Sequence, residues 1–305
     1  MSAPVIHVAA AKSSAGRYFS CLRPQDVIVL QGSPLLGAAF AIGHFGIDHL
    51  APLVMLVVAN VLLVAHVFML NDWAGLTADL ADPNKAARVF TARGVGRGEI
   101  AALMAVLLLA SLLLFGTIGP VTLGLALAIA ALSALYSLPW SDWKGKPLLN
   151  SAAHLAGGVL HFLLGYSVAS AIDFRGVAVA TFFALIFAAG HLTQEVRDHQ
   201  GDAASGIRTN AVLFGPRRTF AASLALFALA QLLLVALALL GPLPRALAPV
   251  AALFALQLYW SRDALRAGLG YASVCRLQTR YRLLYAVIGV AMLAALWFGG
   301  SDVAL

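Results

Sequence analysis

Charge is scarce in this chain. Of 305 residues, 20 are Lys or Arg and 13 are Asp or Glu. That excludes an ordinary soluble domain, which carries roughly a quarter charged residues. Cysteine is scarcer still, with only Cys21 and Cys275, so no disulfide framework organises the fold. Pro- or Ser-rich linkers and low-complexity tracts are absent, which argues against a multi-domain layout. Strand-like alternation is missing too, and a membrane-spanning backbone without it must be helical. No cleavable signal peptide is expected, because the apolar stretch Ala3–Ala11 has no basic residue before it and is followed by Lys12 and Arg17.

What is there is apolar. Hydrophobic residues make up 61% of the chain, in runs of the roughly 20 residues needed to cross a bilayer. Nine spans can be read: Val27–Gly46, Ala51–Leu70, Ile100–Gly119, Val121–Pro139, Pro147–Ala171, Gly176–Gln194, Thr219–Gly241, Ala246–Ser261 and Leu283–Gly299. The eighth is short. Assigning the loops alternately puts 18 of the 20 basic residues on one side and only Arg175 and Arg245 on the other. By the positive-inside rule, the N-terminus and the long, basic loops are cytoplasmic. The net charge of +7 is therefore a topology signal and not a nucleic-acid footprint. The expectation is an all-α, multi-pass membrane protein of about nine helices: residues 1–26 form a cytoplasmic segment and residues 27–305 one membrane domain. A bacterial-type inner membrane suits that orientation.

Six of the thirteen acidic residues fall in two clusters, Asp72, Asp79, Asp82 and Glu195, Asp198, Asp202. Each cluster follows a span and lands on the cytoplasmic side. Carboxylates at a membrane mouth are costly to desolvate unless they pair or hold a cation. Asp72 and Asp79 are seven apart and share a face if the helix continues. Pro83 is expected to end that helix and turn Asp82 away from the mouth. Glu195, Asp198 and Asp202 share another face, with His191 one turn earlier and Gly201 expected to loosen the end. Hard oxygen donors of this kind suit magnesium, which completes its shell with water and substrate phosphates. The plainer alternative is a solvated acidic loop paired with nearby arginines.

At these residues the chain resembles the UbiA superfamily of intramembrane prenyltransferases. Asn71-Asp72-…-Asp79 matches the family's N-D-x-x-D-x-x-x-D motif except that Gly75 replaces the middle Asp. Asp198-His199-Gln200-Gly201-Asp202 matches its D-x-x-x-D motif, and Gly206-Ile207-Arg208-Thr209 continues the likeness. Tyr136 followed by Lys144 resembles the family's tyrosine–lysine element, and Leu22-Arg23-Pro24 is a weaker likeness.

The resemblance implies helices around a central cavity and Mg2+ held by Asp72, Asp79, Asp198 and Asp202, with Asp82 and Glu195 as further candidates. It also implies an isoprenyl diphosphate donor and a lipophilic, often aromatic, acceptor reached through the membrane. Lys144, Lys85, Arg208 and Tyr136 are candidates to act on the leaving diphosphate or the allylic cation. Asn71, Arg23, His161 and His154 are candidates to position substrate, the histidines also as bases toward the acceptor. Competing roles exist for each. Lys85 and Arg208 can serve topology alone, Tyr136 can be an interface belt residue, and membrane histidines can simply bond a neighbouring helix. An intramembrane terpene cyclase and, more remotely, a transporter are the alternative functions.

Overall fold

The computed structural model describes residues 14–44 and 46–298; Ala3–Ala11, Lys12 and Gly299 lie outside the described residues. Regular structure among the described residues is helical throughout. In order, these are α1 (Ser14–Cys21), α2 (Pro24–Val29), α3 (Gly32–Ile42), α4 (Leu50–Ala74), α5 (Leu76–Ala81), α6 (Arg97–Ile118) and α7 (Pro120–Ser137). There follow α8 (Leu149–Tyr166), α9 (Phe174–Ala204), α10 (Asn210–Phe214), α11 (Pro216–Leu240), α12 (Phe254–Arg266) and α13 (Tyr271–Phe298). Prolines sit where their missing N–H costs nothing: Pro24, Pro120 and Pro216 each open a helix.

Seven stretches among the described residues are long and apolar enough to span a membrane: Pro24–Ile42, Ile47–Ala74, Arg97–Ile118, Pro120–Ser137, Phe174–Ala204, Pro216–Leu240 and Tyr271–Phe298. Each coincides with one of the nine expected spans. The other two are helical but weaker. The fifth, α8, is diluted by Asn150, His154 and His161. The eighth is broken: Pro249 holds Arg245–Leu253 as a 3-10 helix, and only then does α12 begin. The protein is a multi-pass integral membrane protein.

Helix α9 is the hub. It packs against α3, α5, α8, α10, α11 and α13, and 61% of its apolar window is buried, against 17% for α6 and α7. The outer helices turn Val106, Leu109, Leu113, Leu232, Leu239 and Val290 outward, as lipid-facing positions require. Helix α3 crosses α8 at very short range. A Cβ on Gly37 would meet the Phe162 carbonyl, and one on Gly165 would meet the Pro34 carbonyl. In lipid, where burying apolar surface between helices gains little, such close backbone packing is what holds a pair together.

Candidate functional site

Helices α4 and α9 end at the same mouth of the bundle, and each delivers its acidic cluster there. On the first side, α4 stops at Ala74 and α5 restarts at Leu76. Helical hydrogen bonding nonetheless continues through the interruption: Gly75 N–H donates to Asn71 O (2.8 Å) and Asp79 N–H to Gly75 O (2.9 Å). On the second side, α9 runs without a break through Gly201 to Ala204, so the expected loosening there does not occur. Ser205 Oγ donates to Ala78 O (3.3 Å), which ties the end of α9 to α5 and sets the clusters face to face.

Lys85 sits between them. Its Nζ lies 3.8 Å from Asp79 Oδ1, 3.6 Å from Asp82 Oδ2 and 3.5 Å from Asp198 Oδ2. Burial alone would lower its pKa, but Asp198, Asp79, Asp202 and Asp82 outweigh burial and raise it above the ordinary lysine value. Lys85 is thus a fixed cation at neutral pH. Lys144 reaches the same place from the turn Trp143–Gly145: a Cβ on Gly75 would lie 3.8 Å from Lys144 Nζ and 3.7 Å from Asp79 Oδ2. Arg23 closes the other flank, with Nη1 3.3 Å from Asp72 Oδ1 and Nη2 2.9 Å from Asp26 Oδ2.

Two expectations need correcting. Pro83 does end the helix, and Asp82 takes the extended backbone that a following proline favours (φ −87°, ψ 114°). Its side chain is not turned away, however. Asp82 is 4% exposed, and its carboxylate lies against Gly201, where an added Cβ would come within 2.6 Å of Oδ2. Glu195, in turn, is engaged on both carboxylate oxygens by protein groups, unlike its neighbours on the stripe. Its Oε1 accepts from Asn150 Nδ2 (2.9 Å) and Asn210 Nδ2 (3.0 Å) and faces His191 Nε2 (2.9 Å), while Oε2 accepts from Ala211 N–H (3.2 Å). It pins α8, α9 and α10 together.

The remaining candidates divide. Tyr136 packs edge-on against His154 (ring centroids 5.0 Å), and His154 stacks on His191 (3.4 Å, 9°). The Nδ1 of His154 faces the Asn150 carbonyl (3.0 Å), so Nδ1 carries the proton and Nε2 keeps the lone pair. His161 lies deeper, its Nε2 2.9 Å from Asn60 Oδ1, and Asn60 donates to Gln31 Oε1 (2.8 Å). Arg208 is exposed and forms no ion pair among the described residues, so the structure does not bring it to the carboxylates. The side chain of Asn71 has no hydrogen bond among the described contacts.

Arg197 was not singled out by the sequence for this role. Its Nε and Nη2 fork onto the two oxygens of Asp198 (2.7 and 2.8 Å), and Nη1 donates to Gln278 Oε1 (2.9 Å). Only its position next to Asp198 could have hinted at this.

Could this donor set hold a divalent cation? Among the described residues no three His, Cys, Asp or Glu side chains are close enough to cage one ion. Yet hard carboxylates from both clusters already surround one positive charge, the Lys85 ammonium. That suits magnesium, which takes one or two carboxylates and fills its shell from water and phosphate, better than it suits a metal needing an all-protein cage.

Helices long enough to span a membrane gather opposed carboxylates and lysine ammonium groups at one mouth of the bundle. The sequence model of the UbiA prenyltransferase family matches residues 33–268. The chain belongs to that family and is a prenyltransferase, which removes the transporter reading. The digeranylgeranylglyceryl phosphate synthase of Methanoregula boonei is 29% identical over 206 residues, 66% of this chain and 70% of that protein. The enzyme of the same name from Natronomonas pharaonis is 30% identical over 208 residues, 65% and 69% of the two chains. A UbiA homologue from Archaeoglobus fulgidus, solved with GPP and Mg2+, superposes with a TM-score of 0.71 at 18% identity, covering 91% of this chain and 99% of that one. At that identity the likeness establishes the fold.

Proposed function

We propose that this protein carries out magnesium-dependent transfer of an isoprenyl group from an isoprenyl diphosphate to a lipophilic acceptor. The observation that carries the reading is the opposition of Asp79 and Asp82 to Asp198 across a single Lys85 ammonium. Asp72, Asp79, Asp198 and Asp202 would hold Mg2+, which when bound supplies charge neutralisation for the diphosphate. Lys85 and Lys144 are then placed to receive the negative charge that grows on the leaving group, from positions fixed before reaction begins. Arg23 holds Asp72 in place. Tyr136 presents an aromatic edge beside the stacked imidazoles of His154 and His191, and the unprotonated Nε2 of His154 is the free base on that side.

The orientation is the one that the basic residues dictate, with the acidic mouth in the cytoplasm, residues 1–26 leading into it and residues 27–305 forming one domain. The names of the two relatives favour a glyceryl phosphate lipid as the first acceptor to test, ahead of aromatic ones. The test is mass spectrometry of products from purified protein given Mg2+, a series of isoprenyl diphosphates, and glyceryl or aromatic acceptors. Diphosphate release that yields a prenylated acceptor supports the reading. A cyclised hydrocarbon formed without any acceptor would favour the terpene cyclase instead.

A further inference from the structure

The chain lacks a carboxylate at Gly75, yet the space a side chain would enter there is part of the site. A Cβ at that position points between Asp79 Oδ2 and Lys144 Nζ. One turn beyond Asp79, Asp82 is almost fully buried and, among the described residues, is paired with Lys85 and not with an arginine. Its two oxygens are differentiated. Oδ1 accepts from Asn84 N–H (2.9 Å) and Asn84 Nδ2 (3.3 Å), which fixes the rotamer within the turn that Pro83 creates. Oδ2 is left facing Lys85 (3.6 Å) and the backbone of α9 at Gly201. The carboxylate occupies space that Gly201 leaves open: a Cβ there would come within 2.6 Å of Oδ2 and the Asp82 side chain would have to shift. Asp82 therefore shares the Lys85 ammonium with Asp79 and Asp198, and a Cβ at 75 would lie 3.7 Å from the same Asp79 carboxylate.

We infer that Asp82 supplies the carboxylate missing at position 75, presenting Oδ2 to the divalent cation of the first cluster, with Asn84 orienting it. This rests on the proposed magnesium-dependent reading. The turn Asp82-Pro83-Asn84 acts as the orienting shell that a metal-binding carboxylate needs. Asp82 also lies against α9 at Gly201, the helix that carries the second cluster.

The experiment measures Mn2+ uptake by electron paramagnetic resonance on the purified, detergent-solubilised protein in the presence of inorganic diphosphate. Asp82→Asn keeps the side chain's shape and its acceptor for Asn84 but removes the charge. It should weaken Mn2+ binding by about tenfold or more, as Asp79→Asn should. The double variant Gly75→Asp with Asp82→Asn should recover most of that loss, since φ at 75 is negative (−86°) and an aspartate Cβ there needs only a small shift from the Asn71 carbonyl, 3.0 Å away. A purely structural role, in which Asp82 only anchors Lys85, is read from a second pair. Lys85→Met should tighten Mn2+ binding by removing a competing cation, and adding Asp82→Asn to it should still weaken it. If Asp82→Asn binds Mn2+ like the wild type, or has no effect once Lys85 is Met, the inference is overturned while the magnesium reading stands. A wild-type protein that takes up no Mn2+ overturns both.

Discussion

The acidic groups of α9 and those that follow α4 are built in opposite ways. On α9, Asp198 and Asp202 ride one unbroken helix, and Asp198 is held by a bidentate Arg197 next to it in sequence. After α4, the carboxylates come from a helix end, a short second helix and a proline turn, held by Arg23 from 49 residues away and by Lys85 just past the turn. The first arrangement is rigid and local. The second is assembled, and an assembled site can lose a ligand at one position and regain it at another. The contrast teaches that a motif on a continuous helix constrains its residues more tightly than the same chemistry spread over a break.

The largest effect should come from removing what the two sides share. Excess EDTA should stop diphosphate release entirely, and turnover that persists in chelator would sink the magnesium reading. Next, Asp198→Ala and Asp72→Ala should each lower turnover by about a thousandfold, equivalent to ~4 kcal/mol of lost transition-state stabilisation. Either variant retaining more than about a tenth of wild-type rate, ~1.4 kcal/mol, would show that its side of the site is dispensable. Glu195→Gln sharpens the comparison from within α9. It puts an amide N–H where Ala211 N–H must donate, so it should cost about 2 kcal/mol in unfolding stability and leave Mn2+ affinity almost unchanged. A normal unfolding transition with weakened Mn2+ binding would return Glu195 to the ligand set.

Smaller still is a pH effect on the assembled side. The pKa of Lys85 is raised in the folded protein, so its stabilising contribution is fully present below the ordinary lysine value of 10.5 and is lost only as pH rises through the higher folded value. The difference in unfolding temperature between wild type and Lys85→Met should therefore be flat from neutral pH to about 9 and shrink above it. A difference that fades near neutrality would mean the three carboxylates do not hold the ammonium. Last, Arg208→Gln should change turnover by less than about twofold, because its exposed guanidinium is away from the carboxylates. A large loss would show that the tail of α9 closes over the substrate.

The same contrast governed what could be read in advance. The spans were legible because apolar runs long enough to cross a bilayer have few other uses, and α9 with its acidic stripe was legible because a helix fixes spacing. Gly75 was visible as a gap but not as an inward-facing position, since that depends on where Lys144 sits 69 residues later. Pro83 correctly announced the end of a helix. It could not tell which way the Asp82 side chain would point, because the space that receives it is made by Gly201 on another helix. Glu195 looked like its neighbours on the stripe. What separates it is a set of amide donors from Asn150, Asn210 and Ala211, and nothing in local spacing announces partners 15 to 45 residues away.

The place of Lys85 has one more consequence. An ammonium already within 4 Å of three carboxylates means that an arriving cation does not enter an empty anionic well but trades places with a resident one. Uptake is then an exchange reaction, and its apparent affinity is the intrinsic one reduced by the work of evicting the lysine. The long, flexible lysine stem makes that eviction a swing and not an unfolding. A displaced ammonium also has somewhere to go, for a diphosphate arriving with the metal offers it new oxygens. Metal and diphosphate thereby favour each other's binding, and by thermodynamic reciprocity each does so by the same factor. On the proposed reading, the resident lysine would couple the two ligands, so that the protein would take both together more readily than either alone.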